Sequence, residues 1–289
     1  MTGRAADAES KNLRGLLAEG RERILHVETD VPALEAQLLL ALAIGKSREY
    51  ILAHPEYIPT HKEATAFEDL VRRRENYEPI AYILGEKEFY SIPFKCDSRA
   101  LVPRPETETL VEAAFAMFDA QSAVSALEIG TGAGVISVSL AMHRPRWKIT
   151  AIDISEEALS LARENIQSHN LSDRITLMIA DLFPPGEARF DLIVGNPPYI
   201  PSGQKDLRPD IIRHEPPVSL YGGSDGLDLI RKIVAIAPSR LNPGGALALE
   251  MGHIHMEEVR ELIEKTGFFK TINTHLDQHG IERVVSAKG

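Results

Sequence analysis

The sequence predicts an α/β fold: a mainly parallel, seven-stranded sheet covered on both faces, preceded by a small helical domain and a β-hairpin linker. Three observations carry this. From residue 125 onward, short apolar runs alternate with amphipathic stretches of helical period, the pattern of strands joined by helical crossovers. Before residue 85 the apolar spacing is helical alone. Between them, residues 85–102 hold short strand-like pieces broken by Ser91, Pro93 and Asp97.

Taken in order, Asp30 is expected to cap a helix that Pro32 enters near its first turn. Leu34, Leu38, Ala41 and Leu42 would share its inner face, and Gly45 would stop it. A second helix is expected over 62–77, with Phe67, Leu70 and Val71 inward. Arg72, Arg73 and Arg74 near its end read as a solvated basic terminus favoured by the helix dipole; contact with an RNA- or ribosome-associated partner is the alternative. Hairpin strands fall at 88–90 and 93–95, and a helix begins near Pro105. Sheet strands are expected at 126–129, 148–152, 175–179, 190–195 and 246–250, with 269–273 and 283–287 closing one edge as a hairpin. The domains are therefore 1–84, a linker at 85–102, and 103–289.

Composition narrows the function. The 289 residues carry 32 basic and 42 acidic side chains, a formal charge of −10, which disfavours a nucleic-acid substrate because phosphate neutralisation supplies most such affinity. The single cysteine, Cys96, excludes an internal disulfide and a multi-cysteine metal site. A reducing, cytoplasmic setting is expected. His253 and His255 lack a third ligand nearby, so no metal is expected. Residues 1–12 are polar, and the longest apolar run, 38–44, falls far short of the ~20 residues a spanning helix needs. No membrane association is expected.

The strand at 126–129 runs into Gly130-Thr131-Gly132-Ala133-Gly134 and then an apolar helix. Strand, glycine turn and helix start make a cofactor cradle, because backbone without Cβ atoms can approach a ligand closely. Asp153 follows the next strand, 21 residues beyond Gly132, an offset that suits hydrogen bonds from ribose hydroxyls. A dinucleotide fingerprint would place glycine where Val135 stands. The Gly-x-Gly-x-Gly spacing suits a cofactor lacking a pyrophosphate, such as S-adenosylmethionine. Asp181 and Leu182 are expected to meet the adenine, the acid accepting from its amino group and the leucine covering the ring; a plain turn role for Asp181 is the alternative.

The strand at 190–195 delivers Asn196-Pro197-Pro198-Tyr199 at its carboxyl end, where open α/β sheets place reacting groups. Two prolines remove two N–H donors and leave carbonyl acceptors. The Asn196 oxygen and the Pro197 carbonyl can hold both N–H bonds of a planar NH₂ group, while the Tyr199 ring packs on its plane. The tetrapeptide holds no group that titrates near neutrality, so catalysis is assigned to orientation and electrostatics.

These motifs resemble those of class I, Rossmann-like methyltransferases acting on planar amino nitrogens. Three more narrow the likeness: Glu78-Pro79-Ile80-Ala81-Tyr82-Ile83-Leu84-Gly85 with Glu88-Phe89; Leu101-Val102-Pro103-Arg104-Pro105-Glu106-Thr107-Glu108; and Glu215-Pro216 through Gly226-Leu227-Asp228. Together they are similar to the HemK/PrmC family, which methylates the glutamine of the Gly-Gly-Gln motif in peptide-chain release factors. The resemblance implies that Gly130 to Gly134, Asp153 and Leu182 contact S-adenosylmethionine, with Asn196 bordering cofactor and substrate. It implies that Asn196, Pro197, Pro198 and Tyr199 hold the glutamine amide, that Arg104, Glu106 and Thr107 wall the methionine end of the cofactor, and that the helical domain grips the release factor. Glu128, Ile129 and Ala133 depart from the family's usual Asp-Leu-Gly-Thr-Gly-Ser-Gly. Adenine in DNA and a ribosomal-protein glutamine are the rival substrates. The mostly polar segment 203–210, with Pro201 just before it and Pro209 within it, is expected to form a lid.

Overall fold

A computed structural model describes residues 11–27, 29–204 and 207–289. Residues 1–10 of the polar leading segment, and 205 and 206 of the expected lid, lie outside the described residues. The chain divides into two units, Met1–Gly85 with Pro209–His214, and Glu86–Arg208 with Glu215–Gly289.

The first unit contains α1 (Leu13–Ile24), α2 (Pro32–Ile44), α3 (Arg48–Ala53), α4 (His61–Glu75) and α5 (Ile80–Leu84). Asn12 caps α1 by accepting from the Gly15 N–H at 3.0 Å, and Thr60 with Glu63 forms a reciprocal capping box on α4. Two expectations about α2 are corrected. Its N-cap is Val31 rather than Asp30, and its buried face is Ala36, Leu39 and Leu40, leaving Leu42 exposed. The cause is Glu35, which faces inward to meet Arg74 of α4 at 2.8 Å. The basic triplet is solvated only in part: Arg72 and Arg73 are exposed, Arg73 pairing with Glu78, whereas Arg74 is 2% exposed.

The second unit opens with the hairpin β1 (Glu86–Phe89) and β2 (Ile92–Lys95). Tyr90, expected in a strand, forms the turn with Ser91, both with positive φ (52° and 58°). Its N–H donates to Glu108 at 2.8 Å and its ring packs on Phe115 and His143, which holds this unusual backbone in place. Phe89, Ile92 and Phe94 are buried in the main core, so residues 86–95 belong to this unit rather than to a separate linker.

Then come α6 (Glu108–Ala116), β3 (Ser125–Ile129), α7 (Val135–His143), β4 (Lys148–Asp153), α8 (Glu156–Ser168), β5 (Ile175–Ile179) and β6 (Phe190–Gly195). The short α9 (Pro209–His214) groups with the first unit, where Arg213 lies over the Tyr77 ring and His214 Nε2 sits 3.0 Å from the Asn76 carbonyl. The segment 103–289 is thus interrupted. It resumes with α10 (Asp228–Arg240), β7 (Leu241–Glu250), α11 (Met256–Lys265), β8 (Thr271–Leu276) and β9 (Glu282–Lys288).

The sheet order is β5-β4-β3-β6-β7-β9-β8, parallel except for β9, which runs antiparallel to both neighbours. Side chains alternate between two cores: Leu192, Val194, Ala246 and Ala248 on one face, Leu127, Ile193, Leu247 and Leu249 on the other. Helices α6, α7 and α8 contribute to the first core, α10 and α11 to the second. The order reverses between β3 and β6, whose last residues, Ile129 and Gly195, stand side by side. That reversal opens the crevice in which such sheets bind ligands. Among the described residues, no helix is long and apolar enough to cross a membrane.

Removing Arg74 strands a buried Glu35. Arg74→Ala is expected to destabilise the protein by about 3–5 kcal/mol in urea titrations, whereas Arg72→Ala, at the exposed position, changes stability by less than about 0.5 kcal/mol.

Candidate functional site

Between β3 and α7 the chain turns on Gly130, Gly132 and Gly134, all with positive φ (71°, 54° and 82°). The Gly130 and Thr131 N–H groups each donate to the Ile152 carbonyl at 2.9 Å, tying the turn to the end of β4. Gly134 is glycine for a second reason: a Cβ there would sit 3.3 Å from the Ala162 Cβ of α8. The Asp153 carboxylate accepts from the Gly132 N–H and the Ser155 N–H, 2.9 Å each. Each of its oxygens keeps a further lone pair for a ligand.

Glu128, the penultimate residue of β3, is fully buried and accepts from the hydroxyls of Thr131 (2.7 Å) and Ser137. Burial pushes its carboxyl up to about 7, against the pull of those two hydroxyls. At the end of β7, Glu250 is also buried and pushed up to about 7 by desolvation.

The Asn196-Pro197-Pro198-Tyr199 loop leaves β6 beside the glycine turn. The Asn196 amide nitrogen donates to the Thr107 hydroxyl at 3.2 Å, and the Tyr199 hydroxyl donates to Glu250 Oε1 at 3.5 Å. Burial raises the Tyr199 phenol well above its usual range, so it stays protonated. Residues 220–226 clamp this loop. The Ile200 N–H donates to the Leu220 carbonyl at 3.0 Å, and the Ile200 carbonyl accepts from the Gly222 N–H at 2.9 Å. Gly226, with φ 88°, approaches so closely that a Cβ would lie 2.3 Å from the Tyr199 carbonyl oxygen, which accounts for glycine in the Gly226-Leu227-Asp228 motif.

A cavity of about 290 Å³ opens over these loops. Its walls include Gly130, Thr131, Gly132 and Ala133, together with Asp153, Asp181 and Leu182. Leu182 holds an unfavourable left-handed backbone, φ 60°. Asn196, Pro197, Pro198, Arg104 and Thr107 also line it.

Three expected residues are not in the cavity wall: Gly134, Glu106 and Tyr199. Gly134 packs on α8, while Tyr199 has Glu250, Arg283 and Glu106 among its charged neighbours. Arg104 lines the cavity, yet its Nη2 donates to both oxygens of nearly buried Glu215 at 2.7 Å. The sequence reading missed Glu250 as part of this site; its one signal was an acid ending an otherwise apolar strand. Cys96 is buried and its thiol is pushed up to about 12, which leaves it unreactive.

Glu128 also couples folding to pH. Its pKa in the folded state exceeds the ordinary 4.5, so the folded protein keeps a proton that the unfolded chain releases. Its contribution is fully present below the ordinary value and is lost as pH rises to about 7. Glu128→Gln is expected to remove up to about 3 kcal/mol of that decline, read from urea titrations at about pH 5 and about pH 8.

Comparison with known proteins gives the family. The PrmC N-terminal domain family matches residues 15–85, and the methyltransferase small domain family matches 107–214. A release factor glutamine methyltransferase of Pseudomonas aeruginosa is 43% identical over 87% of this chain and 90% of its own length. One from Geobacter sulfurreducens is 40% identical over 88% and 89%. The crystal structure of a Pyrococcus furiosus methyltransferase, 23% identical, superposes with a TM-score of 0.52 over 69% of this chain and 89% of that one, a likeness of fold. On these alignments, which span nearly the whole chain, the protein belongs to the release factor glutamine methyltransferase family.

Proposed function

We propose that this protein transfers a methyl group from S-adenosylmethionine to the side-chain amide nitrogen of the Gly-Gly-Gln glutamine in peptide-chain release factors. Such a substrate places the reaction in the cytoplasm. The observation that carries the reading is the Asn196-Pro197-Pro198-Tyr199 loop, which offers acceptors beside a glycine turn. The relatives' shared activity supports it.

The cavity fits the cofactor. A turn with glycine at alternate positions borders it, the Asp153 carboxylate with spare lone pairs could accept from ribose hydroxyls, and Leu182 supplies an apolar wall. Gly130, Thr131, Gly132, Ala133, Asp153, Asp181 and Leu182 would hold it, with Asn196 at its reactive end. Bound there, S-adenosylmethionine supplies an electrophilic methyl group on a sulfonium.

The protein must then improve a poor nucleophile. An amide nitrogen has its lone pair delocalised into the carbonyl. The Asn196 nitrogen is engaged with Thr107, which leaves the Asn196 oxygen free to accept. That oxygen and the Pro197 carbonyl take both N–H bonds of the glutamine amide, favour positive charge on nitrogen and fix its direction. Pro197 and Pro198 have no N–H to compete for the same acceptors. Neutrality of Tyr199 keeps a second negative charge from forming beside Glu250. The methylated nitrogen is strongly acidic and loses its proton without a tuned base. Fixed dipoles of this kind are effective because they need no reorganisation during the reaction.

The test uses labelled S-adenosylmethionine, a release factor and peptide mass spectrometry. Label is expected on the Gly-Gly-Gln glutamine. Asn196→Ala is expected to lower that rate on the order of 10²–10³-fold while the cofactor still binds; label on another residue, or full activity in the variant, overturns the reading. Asp153→Ala is expected to weaken S-adenosylmethionine binding by about 2–3 kcal/mol in calorimetry, the size of a charge-assisted hydrogen bond.

A further inference from the structure

The polar side chains at the start of α6 serve other elements. Thr107 stands at the N-cap of α6, where a threonine hydroxyl ordinarily accepts from the helix's own N–H groups, yet its side chain makes no capping bond. A 3₁₀ turn over Pro105–Thr107 runs into the helix, and Thr107, 3% exposed, keeps its hydroxyl for the Asn196 amide nitrogen at 3.2 Å. Glu108, the first residue of α6, accepts at 2.8 Å from the Tyr90 N–H in the hairpin turn. Two adjacent residues thus tie one helix end to the β1–β2 turn and to the Asn196 loop.

That turn carries a side chain where glycine would be easier. Tyr90 and Ser91 both have positive φ, a conformation that glycine adopts freely and a Cβ atom disfavours. With tyrosine there, the turn gains a side chain that lies along α6. Its hydroxyl donates to Glu112 and its ring packs on Phe115, centroids 6.2 Å apart. Glu108, Glu112 and Phe115 recur at helical spacing and so share one face. Three attachments over about two turns fix the level of the helix and its rotation. Pro103 and Pro105 flank Arg104 just ahead of Thr107 and stiffen that approach, so a displacement of α6 reaches the Thr107 hydroxyl.

We infer that Tyr90 and Glu108 are positioning residues for the methylation proposed above, on which this inference rests: they latch α6 to the hairpin turn and so fix the Thr107 hydroxyl that orients the Asn196 amide. The bond to Thr107 uses a donor of Asn196 and leaves its oxygen for the substrate. Displacing the hydroxyl turns that oxygen away from the substrate amide, and a misplacement of about 1 Å at a reacting group costs about 10²-fold in rate. Neither Tyr90 nor Glu108 lines the cavity, so their influence passes through the helix.

The test uses full-length wild type, Tyr90→Gly, Glu108→Ala, Glu108→Gln and Ser91→Gly. The readouts are kcat for glutamine methylation, S-adenosylmethionine affinity, stability in urea, and the Asn196 side-chain amide signals by ¹⁵N NMR without ligands. Tyr90→Gly relieves the positive φ while deleting the latch, and Glu108→Ala removes the acceptor. Both are expected to lower kcat by about 10- to 10²-fold with cofactor affinity kept, and to move the Asn196 signals. Glu108→Gln keeps an acceptor oxygen and is expected to restore most of the loss. Ser91→Gly relieves strain without touching the latch, and is expected to keep wild-type kcat and raise stability. Wild-type kcat in folded Glu108→Ala overturns the proposal, as does a Gln variant no better than the Ala variant. If Tyr90→Gly does not fold, the two Glu108 variants decide. If wild type leaves the release factor unmodified, the functional reading fails. The Asn196 signals still decide the latch, and their indifference to Glu108→Ala overturns it.

Discussion

Everything at the site depends on β3 and β6 leaving the sheet at the same level. They are hydrogen-bonded neighbours, in register from Ala126 and Leu192 to Ile129 and Gly195. Because the strand order reverses there, their following loops diverge to opposite faces and leave a crevice between. The glycine turn and the Asn196 loop meet because of that register. A slip of one residue would exchange the faces of Leu127 and Ala126 and bury the wrong set. The two apolar cores thus hold the functional loops in position as much as they hold the fold together.

Much of this was legible in the sequence because it rests on local signals. Apolar runs of strand length, Gly130 to Gly134, and the Asn196 loop each announce themselves within a few residues. What was hidden depends on partners distant in sequence. The inward turn of α2 follows from Glu35 meeting Arg74, 39 residues away; periodicity alone placed Leu42 on the buried side. Tyr90 reads as a strand residue until Glu108 and His143 are seen to hold it in a turn. Tyr199 lies outside the cavity wall, with its hydroxyl 3.5 Å from Glu250 on β7, 51 residues away in sequence. Propensity cannot report an interaction whose other half lies in another element.

The two buried acids share a logic. Glu128 and Glu250 stand at or next to the carboxyl ends of β3 and β7, where a sheet gives way to loops rich in hydroxyls and N–H groups. Among the described residues neither has a cation at hydrogen-bond distance; Glu128 accepts from two hydroxyls and Glu250 from one. Hydroxyls donate or accept as required, so each acid sits in a network whose direction can change without any strand moving.

The clamp formed by Gly222 and Gly226 bears on what happens once the reaction is over. Those close approaches hold the backbone at Pro198 and Tyr199, the residues that follow the Pro197 acceptor, against the 220–226 segment. A glutamine amide brings two N–H bonds to two fixed acceptors, but its methylated product brings one. The rigid loop cannot close around the smaller donor set, so one acceptor loses its partner, and a buried acceptor without one costs about 1–3 kcal/mol. In the proposed reaction, the product is therefore held less tightly than the substrate. A second methylation would start from this poorer fit, so stopping at one methyl group follows from the stiffness of the loop.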